Sequence, residues 1–242
     1  MTDPSTETEA ERLERVAADS WYAQGVNAAT IYYSGRIFAR HWRGDSCLEL
    51  GPAEGLMTEQ IAPHFPRLVL VDGSASFVAQ LKERYPDAEV HEALFEDFTT
   101  EERFDTIVLG HVLEHVEDPV AILRRCRDEW LAPGGRVLMA VPNARSLHRQ
   151  AAVIMGLLKD EFEFNKNDLH HGHRRVYTPE GLRSDVLAAG LRIEIFGGYW
   201  LKPLSNSQLE QDWTPEMIEA FMALGERYPD IAGEIYIVAG AD

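Results

Sequence analysis

Two carboxylates stand at matching places in two short apolar runs. Glu49 is the next-to-last residue of Cys47-Leu48-Glu49-Leu50, which stops at Gly51-Pro52-Ala53-Glu54-Gly55, and Asp72 closes Leu68-Val69-Leu70-Val71 twenty-one residues after Gly51. Glycines at such a turn let a ligand approach the backbone, and an acid about 20 residues further on can accept both hydroxyls of a ribose. The pair therefore asks for a nucleotide-like cofactor. A dinucleotide site would carry G-x-G-x-x-G and bare helix N–H groups for its pyrophosphate, whereas Glu54 would repel phosphate. Glu49 and Glu54 favour a cofactor that carries positive charge.

Histidines supply the other reactive groups. His111, Glu114 and His115 stand at i, i+3 and i+4, a spacing that can present metal ligands, and His148, His170, His171 and His173 follow. Imidazole titrates near neutrality, so any of them suits a general base, and His111 and His173 are the first choices. Arg174 and Arg175 could clamp an anionic group through their forked donors. Each has a plainer reading: a loop histidine that only hydrogen-bonds, an arginine pair that only meets solvent, an Asp72 that only caps the next turn.

The segment from Cys47 to Gly55 resembles motif I of the class I S-adenosylmethionine-dependent methyltransferases, with Ala53 in place of the middle glycine, a methyl group tolerable at negative φ. Gly110-His111-Val112-Leu113-Glu114-His115-Val116, Asp118-Pro119 and Pro133-Gly134-Gly135 are similar to later signatures of that family, and the likeness runs from about Gly44 to Asn143. The resemblance implies S-adenosylmethionine as cofactor and S-adenosylhomocysteine as product. It implies Gly51, Ala53 and Gly55 along the methionine part, with Glu49 nearby, Asp72 on the ribose, Gly73 and Ser74 beside the adenine edge, Leu94 and Phe95 flanking the adenine, and His111 near the sulfonium. Tyr22, Tyr33, His148, His171, Arg174 and Tyr199 would bind the acceptor, with Trp200, Asn206 and Gln208 close by and Gly197-Gly198 turning the chain over the site. Some relatives hold a divalent ion beside the acceptor, but their first position is acidic where this chain has His111, so no metal is expected and Glu114 is left to a local hydrogen bond or ion pair.

The implied reaction is methyl transfer to a small-molecule acceptor, at a hydroxyl or carboxylate oxygen in a bacterial sugar or natural-product pathway. The alternatives are N-methylation of an amino sugar or amino acid derivative, a nicotinamide-dependent oxidoreductase, which the loop sequence opposes, and a binding module that keeps the fold without the chemistry.

The elements that must hold these groups alternate. Strands are expected at Cys47–Leu50, Leu68–Val71, Glu89–Glu92, Phe104–Leu109, Arg136–Val141, Leu191–Phe196 and Glu234–Val238. Helices fall between them: Gly55 to His64, one capped by Ser74 and stopped at Tyr85-Pro86, one from Asp118-Pro119, one from Thr178-Pro179, and one from Thr214-Pro215 with Met217, Ile218, Phe221 and Met222 inward. Alternation predicts a Rossmann-like α/β fold, a mostly parallel sheet with helices on both faces, and a ligand beyond the C-terminal strand ends. The resemblance adds seven strands in the order 3-2-1-4-5-7-6, the seventh antiparallel. Residues 1–43 read as an N-terminal helical lid, helical from Ala10 to Trp42 with a break at Gly25 and flexible over about the first ten residues. Residues 44–242 read as the methyltransferase-like domain, with a substrate-side insertion at about 143–177.

A net charge of -17 opposes a nucleic-acid groove, which needs a concentrated basic face. Cys47 and Cys126 read as buried apolar residues, and no stretch reaches about 18 consecutive apolar residues. A cytoplasmic monomer or homodimer without membrane or nucleic-acid partners is expected.

Overall fold

The computed structural model describes residues 7–241. Its strands are β1 (Ser46–Leu50), β2 (Arg67–Asp72), β3 (Glu89–Glu92), β4 (Phe104–Gly110), β5 (Leu131–Pro142), β6 (Arg192–Tyr199) and β7 (Glu234–Gly240). Helices α1 (Glu9–Ala18) and α2 (Gly25–Ala39) precede the sheet; α3 (Thr58–Ile61), α4 (Ala75–Arg84) and α5 (Pro119–Arg125) link its first strands. After β5 come α6 (Leu147–Ile154), α7 (Lys166–His170) and α8 (Pro179–Ala188), and α9 (Asn206–Asp212) and α10 (Pro215–Gly225) separate β6 from β7.

The seven strands form one sheet in the order β3-β2-β1-β4-β5-β7-β6, with β7 antiparallel to both neighbours. β1 and β4 run parallel, but the strand order reverses between them, so a crevice opens at their C-terminal ends. Period-two alternation sends Leu48 and Leu50 to one core layer and Cys47 to the other, as it does for Val69 and Val71 against Leu68 and Leu70. Both layers are apolar and buried, as a parallel sheet covered on both faces requires. Among the described residues no helix is long and apolar enough to cross a membrane.

Capping chemistry sets most helix starts. Ser74, Asp118, Thr178 and Thr214 each accept a backbone N–H of the first turn, and Pro119, Pro179 and Pro215 open their helices.

Several expectations need correction. The break in the N-terminal helix precedes Gly25, which opens α2 at φ +51. Glu9 and Ala10 are helical because Thr8 and Glu11 form a capping box, while residues 1–6 lie outside the described part. The helix expected from Gly55 to His64 is reduced to α3, and β5 starts five residues early, with an irregularity where Phe104 pairs with Leu131 but Thr106 with Arg136. Gly197 and Gly198 do not turn over the site. They lie inside β6, where a Cβ would meet Tyr236 at 2.4 Å and the Pro229 backbone at 2.8 Å, so they allow close packing. Met217 is exposed, whereas Met222 is buried and Ile218 and Phe221 pack against the core.

Candidate active site

Four loops at the C-terminal strand ends and α1 enclose a cleft of about 420 Å³, within the ordinary size of small-molecule sites. Gly51 to Glu54 follow β1, Gly73 and Ser74 follow β2, Ala93 to Asp97 follow β3, and His111 and Val112 follow β4. Glu49, Asp72, Leu94 and Phe95 line it too. Gly55 does not. Its φ is +77, and a Cβ there would meet Tyr85 at 2.9 Å and Leu81 at 3.0 Å, so it seats the loop on α4 instead. Gly55→Ala is expected to cost about 2 kcal/mol of stability, from left-handed strain plus overpacking, with affinity for S-adenosylhomocysteine changed less than about threefold. Urea denaturation and calorimetric titration of the same variant check both halves.

Gly51 has φ +68, and its missing Cβ would stand 2.9 Å from Val112. Ala53 also lies in the left-handed region, φ +48, against the negative φ at which its methyl group would be unstrained. Its N–H donates to Asp72 Oδ2 at 3.1 Å, and Ser74 N–H donates to Oδ1 at 2.9 Å. Asp72 therefore ties the two loops together. A carboxylate has about four lone-pair sites and only two are used, which leaves acceptors for a pair of hydroxyls. Burial raises its pKa to about 6 despite these bonds.

Glu49 faces the layer that holds Cys47, takes a 2.7 Å bond from Thr58 Oγ1, and has its pKa raised to about 8 by burial. Glu54 accepts from Ser20 through one oxygen, while its other oxygen has no partner. The carboxyl acceptors of Asp72 and Glu54 fit a ligand with ribose hydroxyls and a cationic end better than one with phosphates.

Helix α1 covers the cleft. Glu14 accepts from Ser74 Oγ at 2.8 Å and Ser76 Oγ at 2.5 Å, and Leu13 sits so close to Gly73 that a Cβ there would meet its Cδ1 at 2.5 Å. On the far side Arg12 reaches the Gly172 carbonyl at 3.1 Å and Glu9 pairs with Arg174 at 2.7 Å. By contrast α2 is core, with Ile37 and Phe38 fully buried.

A second, smaller cavity of about 130 Å³ adjoins the cleft, and Tyr22, Ile31, His111, His115 and His171 line both. His148 and His173 line the smaller one, Arg174 the larger, and Tyr33 and Tyr199 neither. Tyr33 bonds Glu226 at 2.5 Å and stacks on Tyr199. Tyr199 reaches the cavity wall through His111: its hydroxyl lies 3.2 Å from His111 Nε2, and Ser34 Oγ lies 3.3 Å from the same nitrogen. Burial lowers the His111 pKa to about 4, that of His171 to about 4 and that of His148 to about 2, so these imidazoles are neutral at pH 7.

His173 is arranged differently. Its Nδ1 is 3.1 Å from Asp168 Oδ1, and Asp168 is itself buried and held by Arg149 at 2.9 Å and the Asn165 N–H at 2.8 Å. Asp168, its pKa lowered to about 2, can only accept, so His173 donates to it from Nδ1 and the ring is held by that bond. Asp168 escaped the sequence reading, although Asn165-Lys166-Asn167-Asp168 is a capping box that could have marked it. Lys202 and Glu234, also in the smaller cavity, carried no local signal.

Glu114 has the expected local neighbour in His111 but makes no hydrogen bond with its side chain. It is 1 % exposed and neither carboxylate oxygen has a hydrogen-bond partner, the nearest ring nitrogen being His111 Nδ1 at 3.8 Å.

Comparison with known proteins decides the class. A family model described as a methyltransferase domain matches residues 29–194, more than half of the chain. The chain is a class I S-adenosylmethionine-dependent methyltransferase. This methyltransferase is 30% identical over 199 residues to a ubiquinone biosynthesis O-methyltransferase of Parvibaculum lavamentivorans, covering 76% of this chain and 72% of that one. It is 26% identical over 222 residues to the enzyme so named from Aeromonas salmonicida, covering 82% and 87%. Among solved structures it resembles the N-methyltransferase NodS of Bradyrhizobium japonicum in complex with S-adenosyl-L-homocysteine, with a TM-score of 0.58, 17% identity and coverage of 95% and 96%. The last likeness speaks for the fold alone. The methyltransferase uses S-adenosylmethionine, which supplies an activated methyl group on a sulfonium when bound.

Proposed function

We propose that this methyltransferase binds S-adenosylmethionine in the larger cavity, ribose on Asp72 and adenine against Leu94 and Phe95, and transfers its methyl group to an oxygen of a compact, polar molecule in the smaller one. The observation that carries the reading is the pairing of a cleft of about 420 Å³ with a chamber of about 130 Å³ across the His111 and His115 wall. Methyl transfer is an in-line displacement, so donor and acceptor must meet across a shared wall with reacting atoms about 3 to 3.5 Å apart. The chamber's polar lining, Asn143, Asn165, Asn206 and Lys202 among it, suits a hydroxylated acceptor such as a sugar or a polar natural-product intermediate.

Oxygen is favoured over nitrogen for two reasons. A hydroxyl must lose its proton, and Asp168 orients the His173 ring at the chamber, where it can assist that loss. His111, engaged by Tyr199 and Ser34, serves instead as a neutral wall of the reaction site. The two sequence relatives also carry O-methyltransferase names. We place the enzyme in the cytoplasm, acting on free small molecules rather than nucleic acid, in keeping with its charge of -17 and its two buried, unpaired cysteines.

Incubation with S-adenosylmethionine and a panel of hydroxylated and aminated sugars and small acids, read by mass spectrometry, tests the reading. A product heavier by one CH₂ on oxygen is expected. Methylation only of amines, or of nucleic acid, would refute it. With the acceptor in hand, His173→Ala should lower kcat about 100-fold while leaving the KM for S-adenosylmethionine nearly unchanged.

A further inference from the structure

Three side chains from two distant segments converge at the floor of the smaller cavity. Glu114, His115 and His173 each offer one nitrogen or oxygen, and these atoms lie within 4.8 Å of one another. All three also line the smaller cavity, and His115 lines the cleft as well.

We infer that Glu114, His115 and His173 form a binding site for a divalent first-row transition metal ion, zinc by ligand type, with its open positions facing the acceptor chamber.

The first support is the state of Glu114. Glu114 is 1 % exposed with no hydrogen-bond partner on either oxygen, so burial favours its protonated form, and only a cation beside it would hold it as a carboxylate. Arg175 acts on it only through space, since its guanidinium N–H groups go to the carbonyls of Leu113, Val116 and Glu117, and it does not offset the burial. A cation would.

Support comes also from the layer behind the ligands. Asp168 accepts from His173 Nδ1 and is fixed by Arg149 and Asn165, the carboxylate-histidine arrangement that orients an imidazole toward a metal and fixes its tautomer. The His173 backbone N–H also donates to the Asp168 carbonyl at 2.9 Å, so ring and chain are both anchored. The Arg174 N–H donates to the Glu114 carbonyl at 2.8 Å, which locks the two ligand-bearing segments together.

The chemistry of the set selects the ion. Two imidazoles and one carboxylate suit zinc and its neighbours, whereas magnesium and calcium prefer oxygen alone. Metal–ligand distances of about 2.0–2.2 Å allow donor atoms to stand at most about 4.4 Å apart, so the side chains close by a few tenths of an ångström on binding. Three protein ligands leave at least one position open, as in sites that handle a substrate. An acceptor oxygen entering the chamber would meet it. This departs from the expectation, based on His111, that the site holds no metal: His111 stands aside, and His173 takes the third place.

Cobalt(II) chloride, and separately zinc chloride, titrated into the whole, chelator-treated and dialysed protein provides the test, with calorimetric binding of S-adenosylhomocysteine measured on the same samples. One cobalt ion per chain with a visible d–d absorption band is expected. Glu114→Gln and His173→Ala should abolish stoichiometric binding at micromolar metal, and Asp168→Asn should weaken it about 10–100-fold. Should these variants not fold, X-ray absorption of the cobalt-loaded wild type decides: two imidazole ligands support the site, and none overturns it. No stoichiometric metal in the wild type, or unchanged affinity in folded Glu114→Gln and His173→Ala, overturns it as well. Because S-adenosylhomocysteine binding is read separately, failure of the metal site leaves the methyltransferase reading standing, and the reverse holds.

Discussion

Replacing Asp72 with Asn should weaken S-adenosylhomocysteine binding by about 100–1,000-fold. Two charge-assisted hydrogen bonds to ribose hydroxyls are worth about 1.5–3 kcal/mol each, and each 1.4 kcal/mol is tenfold in affinity. The substitution also loosens the loop after β1, because Asp72 Oδ2 receives the Ala53 N–H. Isothermal titration reads the effect, and a change of less than about threefold would move the ribose elsewhere. Acid should mimic the variant. With its pKa raised to about 6 by burial, Asp72 is ionised at pH 8 and protonated at pH 5, so wild-type affinity should fall as pH drops through 6, by up to tenfold per unit. A flat pH profile would mean that this carboxylate is not a partner of the ligand.

The second large effect concerns stability without cofactor. Burial raises the pKa of Glu49 and that of Glu234 to about 8, well above the unfolded value near 4.3. Between those values the folded state keeps a proton that the unfolded chain has released, so the stability from these groups is full below about 4 and is lost as pH rises toward 8. Below about 6.5 an opposite trend sets in. His111, His148 and His171 are held neutral by burial, with pKa values of about 4, 2 and 4, so acid favours the unfolded chain there. Lys202, lowered to about 8, titrates in the folded state only at the top of the window. Between pH 6.5 and 8 the carboxyls, with Glu114 raised in the same direction by burial, outweigh the remaining titration of the unfolded chain's histidines and of Lys202. Urea denaturation of chelator-treated protein should show it weaker at pH 8 than at pH 6.5 by on the order of 2–3 kcal/mol. Glu49→Gln should flatten that slope by about half, and equal stability at the two pH values in the wild type would contradict the burial argument.

Much of the fold was legible because its signals are local. Apolar runs of strand length ending at Gly51 and Asp72, and Ser74, Asp118, Thr178 and Thr214 at helix starts, are read within a few residues, and the sheet follows from their alternation. The cofactor side of the site shares this property, since Glu49, Gly51 and Asp72 are placed by strand ends. Conformation was less accessible: nothing local distinguishes an Ala53 at φ +48 from one at negative φ, because the surrounding loop imposes it.

The acceptor side depends on contacts across the chain. His173 gains its orientation from Asp168, which sits at a helix start and is also held by Arg149 on α6. Tyr33 and Tyr199 resemble pocket aromatics by type, yet the packing of α2 on β6 turns Tyr33 toward Glu226 and leaves Tyr199 to brace His111. Arg12 and Glu14 cover the cleft from a helix whose sequence is only amphipathic and acidic, and the groups on which they dock, the Gly172 carbonyl and Ser74, lie 160 and 60 residues away. Such long-range pairs leave no periodic trace. Glu114 shows the same limit in reverse: its spacing with His115 was visible, but its burial without a hydrogen-bond partner was not.

A crystal structure of the protein with S-adenosylhomocysteine tests the central claim most directly. Both ribose hydroxyls should lie within hydrogen-bond distance of the Asp72 carboxylate, the adenine should stand between Leu94 and Phe95, and the sulfur should point past His111 toward the smaller cavity. A ligand seated elsewhere, or one that leaves Asp72 bonded only to Ala53 and Ser74, would contradict the account.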